Sequence, residues 1–214
     1  MAKFWKNTLI INHLLQFIFI FSSVYFAFWL TNRNETNKLK KLEQQAIEGV
    51  YLELHGNLTE LEKAMPYHEE LVDVLFSYTD SLSKGLKNIS GENKPIHHLM
   101  QLLTRKESAA GIPQLKSSAW PTLQQSEAYI LLDYEVASTL SALYQLHEAG
   151  VTATVHQLRV EVFATKDLFI PGQTEPILNM AAWSFRELYG QEILLKKKTE
   201  EAMALLTEKY DIKK

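Results

Sequence analysis

The chain has 214 residues, enough for one ordinary domain plus a membrane segment. It has no cysteine, which excludes disulfides, zinc–thiolate sites, iron–sulfur clusters and thiol nucleophiles. The formal charge is −3; with Lys3 and Lys6 set aside, 20 basic residues face 25 acidic ones, a balance that lacks the concentrated basic face nucleic acid requires.

Thr8 to Leu30 contains no Asp, Glu, Lys or Arg. As a helix this segment rises about 35 Å, enough to cross a hydrocarbon core of about 30 Å. A cleaved signal peptide would want small residues at the −3 and −1 positions, and a cut after Ala27 would put Tyr25 at −3, so the segment reads as an uncleaved signal anchor. Trp5 and Trp29 mark its two membrane interfaces, where amphipathic rings favour the headgroup region. Asn12, Gln16 and Ser23 fall on one helical stripe with His13 beside it. Two readings of that stripe stand: a contact with another membrane helix, or residues kept hydrated near the interface with Ser23 bonded to its own backbone. The lysines before and after the span point in opposite directions by the positive-inside rule. Taken literally, the count of Lys3 and Lys6 against Arg33, Lys38, Lys40 and Lys41 favours a cytoplasmic domain. A short basic tail, in contrast, fits an N-in anchor of a bacterial inner membrane with the bulk domain in the periplasm; both orientations stand, and the second is the one expected here.

Residues 1–33 thus form tail and anchor, and 34–214 one soluble helical domain with loops near 84–95, 107–119 and 170–174. From Asn34 to about Lys84, Leu39, Leu42, Ala46, Val50, Leu54, Leu58 and Leu61 recur at helical spacing, which predicts a long juxtamembrane helix. Pro66 is expected to kink or end it, with a second run over Tyr67 to Leu82. Gly49 and Gly56 share a face, either for close approach of another backbone or as tolerated glycines. A short helix is expected from Ile96 to Arg105, followed by an irregular stretch from Ser108 to Ser118.

Pro121 and a capping-box spacing from Thr122 to Gln125 predict the next helix, with Leu123, Ile130, Ala137 and Tyr144 recurring every seven residues in a coiled-coil-like pattern and Gly150 closing it. Val151 to Phe169 reads as helix, and a last helix runs from Thr174 to about Tyr210 with a break at Gly190. The fold class is all-α: a transmembrane helix, a long juxtamembrane helix and an antiparallel helical bundle.

No catalytic residue, cofactor site or metal site is read from the motifs. No His has Glu three or four residues before it, and there is no phosphate loop, nucleophile elbow or dinucleotide fingerprint. Trp120, Tyr129, Tyr134 and Tyr144 are either core or the lining of a pocket between helices. A buried His with a carboxylate would be the sign of a concealed enzyme.

The exit Ala27-Phe28-Trp29-Leu30-Thr31-Asn32-Arg33-Asn34-Glu35 and the helix with Glu53-Leu54-His55-Gly56-Asn57-Leu58 resemble a loose group of uncharacterised bacterial single-pass membrane proteins. In that group such an exit leads into a helix with an acidic-x-x-x-Asn pattern. The stretch from Ala119-Trp120-Pro121-Thr122 to Ala142-Leu143-Tyr144 resembles the group's Trp-led helix, whereas the first basic flank is shorter here. The resemblance implies an N-terminal anchor with a soluble helical domain and brings no activity or cofactor with it. The expected function is that of a non-enzymatic interaction or scaffold protein, a homo-oligomer or an accessory subunit bound to a membrane protein partner and the lipid bilayer. The alternative is a ligand-sensing bundle that acts through a membrane partner.

Overall fold

A computed structural model describes residues 2–85, 94–103 and 111–212, with side chains from Asn12 onward. These residues are helical or irregular, with no strand among them. The dominant element is α1, a single helix of 82 residues from Ala2 to Ser83, about 120 Å long at 1.5 Å per residue. After it come α2 (Pro95–Leu103), α3 (Ala119–Gln124), a 3₁₀ turn (Glu127–Leu131), α4 (Tyr134–Leu146) and α5 (Ala153–Leu158). Chain-continuous π-helical turns at His147–Thr152 and Arg159–Phe163 flank α5, a second 3₁₀ turn spans Lys166–Phe169, and α6 (Thr174–Lys209) ends the fold.

The two halves of α1 have opposite surroundings. Every residue from Asn12 to Lys38 is exposed, and the stretch to Leu30 is the one described helix segment apolar enough to cross a membrane. From Ile47 onward the helix buries Ile47, Val50, Leu54, Asn57, Leu61, Ala64, His68, Leu71 and Leu75. Their spacing alternates three and four, the heptad repeat of a coiled-coil seam. On α6 the buried residues Leu178, Ala181, Phe185, Leu188, Glu192, Leu195, Thr199, Ala202 and Leu206 follow the same rule. Contacts pair Glu43 with Tyr210, Glu62 with Lys196, His68 with Glu192 and Phe76 with Trp183, so numbers rise along α1 as they fall along α6. The shorter elements pack around this pair and complete one core with Trp120, Leu123, Val136, Leu140, Leu143, Leu158 and Val162.

Several expectations change. Helix α1 passes through Pro66 unbroken. The proline sits on the exposed face, so the carbonyl left without its donor is open to water, while Leu61, Ala64, His68 and Leu71 hold the opposite face in the seam. The helix expected from Pro121 to Gly150 is two helices separated by the 3₁₀ turn. The cap that starts the longer one is Asp133, whose carboxylate accepts from the amides of Glu135 and Val136 at 3.0 and 3.3 Å. Because the chain breaks there, the seven-residue spacing of Leu123, Ile130, Ala137 and Tyr144 is no seam, and Ile130 is exposed.

Gly150 does not end its helix. It lies in a π-helical turn against α6, where a Cβ would meet Gln191 Oε1 at 2.7 Å. Nor is α6 interrupted at Gly190. Gly49 and Gly56 have nothing within 4 Å of an added Cβ, which fits tolerated glycines. Pro95 opens α2 rather than closing the loop before it, and Arg105 lies outside the described residues. On the surface of α6, Lys196 pairs with Glu62 of α1 and Lys198 with Glu201.

Replacing Pro66 by Ala restores a helix donor at an exposed site without touching the seam. P66A is therefore expected to raise the unfolding free energy of the full chain in detergent by about 1–3 kcal/mol, read from the urea midpoint. An unchanged or lowered midpoint would contradict this account of the helix.

Candidate functional site

The heptad seam carries polar residues at positions that a packed core would fill with Leu or Val, and these form two clusters. The first is built on the seam residue Asn57 together with Glu53, which lies one turn before it on α1, beside the seam and half-buried. Asn57 Nδ2 donates to the Lys116 carbonyl at 2.7 Å, and the Lys116 amide donates to Asn57 Oδ1 at 2.7 Å. The side-chain amide thereby pairs with the irregular segment before α3 as a neighbouring backbone would.

Glu53 accepts at its two oxygens from the Ser118 amide and hydroxyl at 3.0 and 2.9 Å, from the Ala119 amide at 3.1 Å and from the Tyr144 hydroxyl at 2.7 Å. Helix α3 has no side-chain cap of its own. A carboxylate from α1 satisfies its first amides instead. Burial pushes the Glu53 carboxyl up, and the hydrogen bonds from Tyr144, Ser118 and Ala119 outweigh it, holding the group below its ordinary value. Burial and the neighbouring Glu53 carboxylate push the Tyr144 phenol far above the usual tyrosine range.

Trp120 stacks on Tyr144 with centroids 6.2 Å apart and meets Tyr129 edge-on at 5.9 Å. The structure thus brings three of the four aromatic residues together. Tyr134 stands apart from them, exposed in the first turn of α4. Beside Tyr144 lies a cavity of about 10 Å³ lined by Leu54, Asn57, Leu143, Tyr144, His147, Leu195 and Thr199. That is at most room for one water. His147 is buried there, and burial holds its imidazole below the ordinary value while Glu148 and Glu53 pull the other way.

The second cluster is the pair His68 and Glu192, both side chains fully buried. His68 Nδ1 donates to Glu192 Oε1 and Oε2 at 3.0 and 2.9 Å, and the imidazole lies between Tyr67 and Phe185. This is the buried His–carboxylate arrangement that would signal concealed chemistry. Neither residue lines the cavity beside Tyr144, the groove between α5 and α6, or the surface depressions at Phe19–Phe26 and Ile112–Arg159. Gly111, with φ +62°, presses on the same place: a Cβ there would collide with the Tyr67 ring and come within 3.3 Å of His68 Nε2. As a fully buried ion pair it forms a polar layer within the seam.

Among the described residues no group of three His, Asp or Glu side chains is placed to hold a metal ion. His55, His97 and His156 are exposed, and His98 Nδ1 meets the Tyr78 hydroxyl at 3.0 Å. In the apolar segment of α1, Asn12 and Gln16 are exposed, and Ser23 Oγ donates to its own helix at the Phe19 carbonyl, 2.7 Å away. Trp29 packs beside Phe26, with the Arg33 guanidinium 5.4 Å from its ring centroid; the Trp5 side chain lies outside the described residues. A larger open groove of about 450 Å³ lies between α5 and α6, with Leu158, Met180 and Trp183 as its apolar part and Glu161 and Glu187 at its rim. Glu53 and Asn57 carry a sequence signal, the acidic-x-x-x-Asn spacing. His68 and Glu192 lie 124 residues apart and carry none. No family model, no curated protein and no solved structure matches the chain.

The clusters differ in how they respond to substitution and to acid. Replacing Glu192 alone by Leu takes from a buried imidazole the carboxylate it donates to and is expected to cost about 3–5 kcal/mol, whereas the double replacement H68L/E192L is expected to return to within about 1 kcal/mol of the parent or above it. Equal losses in both variants, measured by urea unfolding, would mean that the pair does more than satisfy itself.

In the first cluster the His147 value is lowered on folding, so its contribution is complete above the unfolded value of 6.5 and is lost as pH falls below it. The Glu53 value is lowered from 4.5, so its contribution is complete above that value and is lost as pH falls through the folded one. The melting temperature is therefore expected to decline in two stages on acidification, and H147Q is expected to flatten the upper stage only.

Proposed function

We propose that the chain is a membrane-anchored helical scaffold, an antiparallel bundle held above the bilayer by α1, that acts by association and not by catalysis. Its partners are a second copy of the chain or a membrane protein of the same bilayer. The site is a bacterial inner membrane crossed once, with the domain on the periplasmic side. The observation that carries this reading is the continuity of α1. One unbroken helix runs from the apolar exposed segment into the core seam, so a contact made in the membrane sets the position of the whole domain. Such a contact would use the amides of Asn12 and Gln16, which are costly to leave in lipid without a partner. Ser23, bonded to its own backbone, contributes less.

A ligand-sensing reading is supported at a different place from the aromatic cluster. The open groove beside Trp183 has the volume of a small-molecule cleft and a polar rim. On that reading the ligand would press on α6 and, through the seam, on α1.

Because the chain has no cysteine, a Gln16→Cys variant carries a single thiol. Oxidative cross-linking in membranes is expected to give a disulfide-linked pair of chains, or a mixed adduct when a partner presents a thiol to a bifunctional reagent. A product that stays monomeric with every reagent, together with a monomeric mass in mild detergent, would sink the scaffold reading.

A further inference from the structure

The most exposed apolar side chains of the domain are not scattered. Ile130 and Tyr134 are each 86% exposed, with Tyr129 and Leu131 partly exposed beside them, all in the turn between α3 and α4. The structure fixes where that turn lies. Asp133 is bound by Lys209 at the end of α6, and the neighbouring Tyr210 hydroxyl donates to Glu43 of α1 at 3.0 Å. Eleven residues after Asp133, Tyr144 reaches Glu53, ten residues after Glu43. Helix α4 therefore climbs beside α1 away from the apolar segment, and its first turn is the end of the domain nearest the membrane.

Glu43 is 13 residues beyond Leu30, or about 20 Å along the helix. The headgroup layer takes up about 7 Å of that distance. Side chains on a helix tilt toward its N-terminus, so Tyr134 in the first turn of α4 is carried toward the bilayer. The remaining gap closes when α1 leans toward the turn, within the range of about 0–40° found for membrane helices. Tyrosine with an adjacent aliphatic residue suits the headgroup boundary, where a ring buries its body and keeps its hydroxyl wet.

We propose that the turn Glu127–Tyr134 is a second membrane contact, in which Ile130 and Tyr134 enter the headgroup layer of the same bilayer that α1 crosses. The proposal rests on the anchor reading and adds a direction to it: the domain leans on the membrane by its α3–α4 corner, and α1 is tilted accordingly. Water would otherwise surround a large aliphatic and an aromatic side chain at the one end of the domain that faces lipid.

The test uses the full chain in nanodiscs with a nitroxide label at one introduced cysteine, since there is no native thiol to compete. Labels go at Ile130→Cys, Tyr134→Cys, Phe19→Cys in the span and Gln173→Cys at the opposite end of the domain. Collision with oxygen and with a water-soluble nickel chelate is then measured. The expected result is nickel access at 130 and 134 well below that at 173 and above that at 19, with oxygen access kept, as for a label in the headgroup layer. Free nickel access at 130 and 134 overturns the proposal, and so does exclusion of both reagents, which would mean a protein contact. If the label at 19 also admits nickel, the anchor itself is wrong and the inference falls with it; lipid shielding at 19 with nickel access at 130 rejects the inference alone.

Discussion

The fold depends on a heptad seam between two helices that are far apart in sequence. Helix α1 supplies its nine positions from Ile47 to Leu75 and α6 supplies nine from Leu178 to Leu206. Each buried Leu, Ile, Val or Phe there contributes about 1.5–3 kcal/mol of transfer free energy, which gives a long contact enough to keep α1 helical through a proline. The seam is not uniformly apolar. His68 with Glu192, and Asn57 with Thr199, break it into three apolar stretches. A register shift of one heptad would separate the fully buried imidazole from its carboxylate, a loss larger than any one leucine contact supplies. Polar residues at seam positions thus favour one alignment of α1 on α6 over its neighbours at a cost in stability.

Everything between the two long helices is fastened to that seam. The segment from Gly111 to Ser118 has no regular hydrogen bonding of its own, and α3 is too short to be stable alone. Glu53 and Asn57 solve both problems from one face of α1, the first by occupying the amides at the start of α3, the second by pairing with the Lys116 backbone. Tyr144 closes the same network from α4. With those donors used internally and a cavity that holds no more than a water, the cluster has little capacity left for a ligand. Its work is to position the Trp120 corner and the turn that follows.

The same division between local and tertiary causes decides which parts of the molecule are legible in the sequence. The apolar segment stands out because a charge-free run from Thr8 to Leu30 matches, at helical rise, the thickness of a bilayer. The long helices and the all-α class also follow from periodicity. The seam is only half visible: Val50, Leu54 and Leu61 belong to the series of apolar residues at helical spacing, but Leu42 is exposed, Leu39 and Leu58 are partly so, and Ile47, Asn57 and His68 fall outside it. A count of apolar residues discards polar ones even where they hold the core positions. The repeat at Leu123, Ile130, Ala137 and Tyr144 misleads for the opposite reason. Its spacing is regular along the chain but crosses a break at Asp133, where a local cap competes successfully with helix continuation. The pairing of His68 with Glu192 needs the tertiary contact itself, since nothing local distinguishes either residue from a solvated surface group.

The continuity of α1 links the seam to the apolar segment. A helix that is free over its first turns and clamped over its last thirty residues has little freedom to bend at the boundary, because no glycine, proline or π-bulge interrupts it between Leu30 and Ile47. Tilt or rotation of the anchor is then transmitted to the domain as a rigid-body movement. On the proposed reading, a small lean of α1 would swing the α3–α4 corner toward or away from the lipid surface, while the Glu43–Tyr210 and Asp133–Lys209 contacts tie that corner to the helix. On that reading, the angle of α1 would decide which surface of the domain faces the bilayer.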